Sequence, residues 1–313
     1  MKKLAFLFPG QGSQSVGMGL SFLEKYDFAK QMYEQADEIL GYKLSDYMLN
    51  GPDHVLTKTE NAQPALLLTS SVIYKLLEEH NIKPQMVAGH SLGEYSALVA
   101  AGALHFEDAI RLVHIRGKLM EKAVPSGEGT MAAVLGLEAA IIDKITSEVT
   151  RQGDIVNVAN YNCPGQIVIS GTVRGVELAT EKLKEQGAKR VIQLNVSGPF
   201  HSELMKSASD EFENELNKIN INDANVPVYA NVTAKPVNDS ATIQKLLVEQ
   251  LYSPVLFTQT IENMLNENVD AFVEVGNGKV LSGLVKKVDR KAKVFAINDV
   301  NSFEEFVQWV KEE

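Results

Sequence analysis

The segment Val87-Ala88-Gly89-His90-Ser91-Leu92-Gly93-Glu94-Tyr95 constrains the fold more than any other part of the chain. A short apolar run, a G-x-S-x-G turn and a helix-forming stretch through Ala101 stand in the order of a nucleophile elbow, which carries a serine on a tight strand-to-helix turn. Glycine at both flanks lets the backbone bend sharply without a Cβ clash. The Ser91 hydroxyl would then stand at a helix N-terminus, where unpaired N–H groups and roughly half a unit of positive charge can stabilise a developing oxyanion.

With 313 residues the chain exceeds one average domain, yet it can be one large domain with an insertion. No apolar run approaches the length of a membrane span, and the strand-like Leu4-Ala5-Phe6-Leu7-Phe8 is too short for a signal peptide, so a cytoplasmic protein is expected. The single cysteine, Cys163, excludes an internal disulfide and a cysteine-based metal cluster. It stands in Asn162-Cys163-Pro164-Gly165, which reads as a turn, and no local motif marks it as a nucleophile. A net charge of −10 argues against a nucleic-acid protein, whose binding face should be strongly basic.

After the first strand comes Pro9-Gly10-Gln11-Gly12-Ser13-Gln14, extended by glycines to Gly19. It lacks the Gly-Lys-Ser/Thr of a phosphate-binding loop and the spacing G-x-G-x-x-G. Two readings remain, a tight β-to-α connection or a functional loop at the strand's carboxyl end, where open α/β sheets place ligands. Residues 20–80 read mainly as helices, with Asn61-Ala62-Gln63-Pro64 opening an apolar one.

A further helix is predicted over residues 107–124. At about 100° per residue, Leu112, Val113, Ile115, Leu119 and Met120 fall in one arc, and Arg116 falls inside it while Arg111, Lys118 and Lys122 fall outside. A guanidinium on an apolar face is costly unless acceptors meet it. It can pair with a protein carboxylate, snorkel out to water, or wait for a carboxylate that arrives with the substrate.

From residue 127 to 196 the pattern reads strand 130–135, helix 138–150, strand 154–160, strand 166–171, helix 173–186 and strand 189–195. This βαββαβ order is ferredoxin-like. It predicts a small domain, residues 127–196, inserted into a large one made of 1–126 and 197–313, with a cleft where they meet. Just after the second joint stands Phe200-His201-Ser202. Of six histidines, His54, His80 and His105 sit in polar contexts, His114 projects off its apolar arc, and His90 should point differently from its neighbour Ser91. His201, in a Gly-Pro-bounded turn at the joint, is the candidate base. Further on, Gly276-Asn277-Gly278 introduces a helix ending in the basic run Lys286 to Lys293, either a solvated face or a dock for an acidic partner.

Taken in order, Gly10-Gln11-Gly12-Ser13-Gln14, Gly89-His90-Ser91-Leu92-Gly93, Arg116, Gly198-Pro199-Phe200-His201-Ser202, Gln250-Leu251-Tyr252-Ser253-Pro254-Val255 and Gly278-Lys279-Val280-Leu281 closely resemble the bacterial malonyl-CoA:acyl carrier protein transacylases over essentially the whole chain. The resemblance implies an α/β fold, with an α/β-hydrolase-like large domain and the ferredoxin-like insert. It also implies a ping-pong transfer without cofactor or metal, in a monomer whose partners are malonyl-CoA and acyl carrier protein. Ser91 would take the malonyl group with help from His201, and the amides of Gln11 and Leu92 would form the oxyanion hole. Arg116 would hold the malonyl carboxylate, and the main-chain carbonyl of Gln250 would orient His201. Because such carriers are acidic, Lys189, Arg190, Lys286, Lys287 and Arg290 become docking candidates. The chain departs from the family pattern at Leu256, often Arg, and at Asn277, often Pro.

The alternatives are a serine hydrolase or thioesterase with the same Ser91 and His201, a non-catalytic α/β binding module, and an acyltransferase serving polyketide rather than fatty acid synthesis. An arginine in an apolar arc speaks against a simple hydrolase, which needs no buried cation.

Overall fold

The computed structural model describes residues 2–312. Among these, ten strands follow in chain order: β1 (Leu4–Phe8), β2 (Met86–Gly89), β3 (Gly129–Leu135), β4 (Val156–Cys163), β5 (Gln166–Thr172), β6 (Arg190–Gln193), β7 (Val228–Tyr229), β8 (Pro236–Val237), β9 (Ala271–Val275) and β10 (Val294–Ile297). They form a six-stranded sheet of order β10-β9-β1-β2-β7-β8 and a four-stranded sheet of order β4-β5-β3-β6. The large sheet is parallel except for the β7-β8 hairpin, and the small one is antiparallel throughout.

All five residues of β1 are buried, as a central parallel strand covered on both faces requires. Leu4, Phe6 and Phe8 enter one core with Leu66, Leu67 and Val72 of the long helix Thr59–Glu79. Ala5 and Leu7 enter another with Phe257, Ile261, Leu281 and Leu284, from helices Phe257–Leu265 and Val280–Val288. The small sheet buries Ala132, Val134, Ile167 and Ile169 under helices Ala139–Arg151 and Val173–Glu185. Its six elements follow the predicted order with ends shifted by a few residues. The largest shift is at β4, which runs through Cys163, so the turn is Pro164-Gly165 with Gly165 at φ 77°.

The segment before helix Phe257–Leu265 is tied to the small sheet along β4. Val255 donates its N–H to Ala159 O at 2.8 Å and accepts that of Tyr161 at 2.9 Å, forming a parallel bridge. Residues 226–231, which the sequence pattern reads as one strand, form a strand only over Val228–Tyr229. Pro227 has no N–H for a ladder, and the Asn231 N–H turns away to the Glu94 carboxylate at 3.1 Å.

The long helix starts at Thr59, two residues before the predicted opening, so Pro64 lies inside it. Proline cannot donate to the carbonyl of residue 60. His114 replaces that donor, its Nδ1 lying 2.8 Å from Glu60 O, and burial lowers its pKa. One turn away on the same helix, Phe106–Lys122, Gly117 packs directly on the backbone of Thr59 and Glu60. A Cβ there would come 2.7 Å from Thr59 O. Gly117→Ala is therefore expected to separate the two helices and cost about 1–3 kcal/mol in urea denaturation. An unchanged midpoint would contradict the close approach.

Candidate active site

Ser91 follows β2 in the left-handed region at φ 52°, an unfavourable conformation for a non-glycine residue. Side chains from elsewhere hold it there. Asn231 Oδ1 accepts the Ser91 N–H at 2.8 Å, and Asn231 Nδ2 donates to Gly89 O at 2.6 Å. Gln250 Nε2 donates to Ser91 O at 3.0 Å. The flanking glycines are sterically required, since a Cβ on Gly89 would overlap the Gly93 backbone and one on Gly93 the Phe8 carbonyl. The helix Gly93–Ala100 then begins behind the serine.

His201 is also left-handed, at φ 56°, and 3% exposed. Its Nε2 lies 2.7 Å from Ser91 Oγ and its Nδ1 2.8 Å from the Gln250 carbonyl oxygen. A carbonyl only accepts, so Nδ1 carries the proton of the neutral ring and Nε2 is left with a lone pair. Arg116 NH2 lies 3.2 Å from the same Oγ, and a guanidinium only donates. The hydroxyl proton of Ser91 therefore points at His201, giving a one-way chain from Arg116 through Ser91 and His201 to Gln250. Burial first, and the Arg116 charge second, bring the His201 pKa down to about 3.

Arg116 is 1% exposed. It does not snorkel, and it makes no ion pair among the described residues. Its partners are neutral: NH1 donates to Gln63 Oε1 at 2.8 Å, NH2 to Gln250 Oε1 at 3.0 Å, and the guanidinium lies 5.2 Å from the Tyr95 ring centroid. Nε has no partner. Two of the three fates open to this residue on sequence grounds are thus absent.

The loop after β1 packs on the elbow, with Gly10 against the His90 carbonyl. Neither Gln11 N–H nor Leu92 N–H has a hydrogen-bond partner among the described residues. Gln11, Ser91 and His201 line a cleft of about 420 Å³ with Asn160, Asn162 and Val280. A second hollow of about 470 Å³, beside Tyr161 and Cys163, contains none of these groups. His90 turns from the serine to Asn162, with Nε2 2.7 Å from Oδ1. Asn277, at the departure from the family pattern, ties its loop to the first one through Ser13 O at 2.6 Å. Leu256 donates its N–H to Asn231 O at 2.9 Å. No group of three or more His, Cys, Asp or Glu is placed to hold a metal among the described residues, and no helix is long and apolar enough to cross a membrane.

The basic candidates do not form one patch. Arg190 pairs with Leu135, and Ile192 pairs with the cleft-lining Ala133, so Arg190 and Ile192 share the cleft face of the small sheet. Lys189 precedes them on the opposite side, its stem over Gly136. Lys287 reaches the rim through Gln166 Oε1 at 3.4 Å, while Lys286 is turned to Arg290 O at 3.2 Å. No local pattern marks Gln63, Asn162 or Asn231 as site residues. Only Glu94 carried a local signal, as an acidic residue inside the otherwise apolar elbow helix.

The acyl transferase domain family matches residues 5–300. The malonyl CoA-acyl carrier protein transacylase of Bacillus subtilis is 54% identical over 313 residues, covering 100% of this chain and 99% of its own. The chain belongs to the malonyl CoA-acyl carrier protein transacylase family. Among solved structures, this transacylase superposes on an acyl carrier protein S-malonyltransferase from Vibrio cholerae with a TM-score of 0.95, 44% identity, and coverage of 97% and 99% of the two chains. It matches equally well, at 0.95 and 42% identity over 98% and 99%, a malonyl-transacylase in complex with its type II PKS acyl-carrier protein.

Because His201 stays neutral far below the usual imidazole range, acidification should not disarm it. The rate at which phenylmethanesulfonyl fluoride modifies Ser91 is expected to stay within about twofold between pH 7.5 and 5.5. An ordinary histidine base would lose most of its activity over that interval. A roughly tenfold loss centred near pH 6.5 would contradict the depressed pKa.

Proposed function

We propose that this transacylase moves a malonyl group from malonyl-CoA to the thiol of an acyl carrier protein through a Ser91 ester. The observation that carries the reading is the Arg116 guanidinium, buried beside the nucleophile and solvated only by neutral groups. A carboxylated acyl chain supplies the missing anion, whereas an acetyl group leaves it missing.

In the first half-reaction Ser91 Oγ attacks the thioester carbonyl while its proton passes to His201 Nε2. The charge that develops on the carbonyl oxygen is met by the unpartnered amides of Gln11 and Leu92. Collapse of this intermediate breaks the C–S bond, and His201 returns the proton to the departing CoA sulfur. The imidazolium is transiently stabilised by the Gln250 carbonyl, which takes the place of an acidic third residue. In the second half-reaction the carrier thiol gives its proton to His201 and attacks the ester, and Ser91 leaves with that proton.

The reading assigns residues 127–196 to a ferredoxin-like small domain and 1–126 with 197–313 to an α/β-hydrolase-like large domain. The sheet order β4-β5-β3-β6 supports the first assignment and the parallel sheet with the elbow after β2 the second. A cytoplasmic setting fits the lone unpaired thiol of Cys163. For the carrier, the cleft rim offers Arg190 beside Ile192, 41% exposed, and Lys287 near Val280, 53% exposed. Fatty acid synthesis is the favoured setting. Polyketide synthesis is the second, favoured by the likeness to the relative bound to a type II PKS carrier.

Mass measurement of the intact protein after malonyl-CoA treatment should find one malonyl adduct, absent in Ser91→Ala. Arg116→Ala should lower malonyl transfer on the order of 10²-fold, the worth of a charge-assisted pair, while acetyl transfer is kept or raised. Equal losses for both acyl groups would refute the carboxylate clamp. Arg190→Glu should raise the KM for carrier protein several-fold with malonyl-CoA kinetics unchanged, and Lys189→Glu should do less. The reverse ranking would move the dock to the other face.

A further inference from the structure

The mechanism leaves a buried carboxyl group beside the nucleophile unused. Glu94 is 3% exposed and touches neither Ser91 Oγ nor the His201 ring. Its Oε2 accepts from Gln250 Nε2 at 2.8 Å and from the Asn231 N–H at 3.1 Å. The other end of the same amide, Gln250 Oε1, accepts from Arg116 at 3.0 Å. One side-chain amide therefore spans a buried anion and a buried cation that are not themselves in contact.

We propose that Glu94 is a built-in counter-charge which, across Gln250, weakens the grip of Arg116 on the substrate carboxylate so that the malonyl group can leave for its acceptor. The proposal rests on the carboxylate reading of Arg116 given above. A transferase must release the group that it binds. A clamp at full strength would stabilise the malonyl-enzyme as much as the transition state for its discharge, and binding of that kind lowers KM without raising kcat. If Glu94 contacted the guanidinium directly, it would instead fill the place of the substrate. Placed one amide away, it leaves the unpartnered Nε of Arg116 for the incoming carboxylate while opposing that carboxylate through a low-dielectric interior.

The charged and titratable groups around Glu94 are few. Arg116 faces it across Gln250, the Tyr95 phenol adjoins it on its own helix, and His201 and His90 stay neutral, both lowered chiefly by burial. Burial pushes the Glu94 carboxyl up to about 7, against the opposing pull of its two donors and Arg116. Its charge therefore grows between pH 6 and 8, and with it the opposition to a bound carboxylate.

The test is Glu94→Gln, which keeps the shape and an oxygen acceptor but removes the charge. The KM for malonyl-CoA is expected to fall on the order of tenfold at pH 7.5, release of the malonylated carrier protein to slow by a similar factor, and acetyl-CoA kinetics to stay within about twofold. In the parent enzyme the malonyl-CoA KM should rise from pH 6 to 8, a slope that remains measurable even if the variant fails to fold. In a folded variant that slope should vanish. An unchanged malonyl KM, a parallel change for acetyl-CoA, or a full effect of Glu94→Gln in an Arg116→Ala background would overturn the counter-charge. Retained malonyl preference in Arg116→Ala alone would instead overturn the clamp on which it rests.

Discussion

A guanidinium taken almost wholly out of water beside a serine hydroxyl is the interaction on which the rest of the site depends. Desolvating such an ion costs several kcal/mol even after relaxation, and the compensation comes from three separate helices. Gln63 lies on Thr59–Glu79, Gln250 on Ser240–Gln250, and the Tyr95 ring on the elbow helix. Holding these neutral acceptors around one charge ties the helices together. It also leaves the cation solvated without being neutralised, which is the state a carboxylate-bearing substrate can use.

Gln250 links this charge to the chemistry. Its carbonyl sets the tautomer of His201, its amide nitrogen supports the strained elbow, and its amide oxygen takes up Arg116. The two left-handed non-glycine residues of the site, Ser91 and His201, are the two that exchange a proton, and each is held by bonds from other elements. Strain of this kind persists only where its surroundings over-determine it. The depressed basicity of His201 follows from the same burial that sharpens Arg116, so recognition and base strength are coupled.

Much of the arrangement was legible in the chain. The elbow, the arc that carries Arg116, the order of the small sheet and His201 at a joint all rest on local patterns with short periods. Errors arose where a partner far along the chain decides the outcome. The chain reads Asn61-Ala62-Gln63-Pro64 as the opening of an apolar helix. The structure places Pro64 within that helix because His114 takes over the orphaned Glu60 carbonyl. Residues 226–231 read as one strand because nothing local shows that the Asn231 amide turns to Glu94.

The sequence by itself determined that a serine stands on a strand-to-helix turn and that an arginine points into an apolar face, since both follow from backbone sterics and helical periodicity. Only the tertiary structure decided that Arg116 has no protein carboxylate to pair with, that Asn231 and Gln250 close over the elbow, and that Arg190 faces the cleft while Lys189 does not. Those are facts about which residues meet across tens or hundreds of positions. Hydrogen-bond partners and sheet register, rather than local propensity, choose among them.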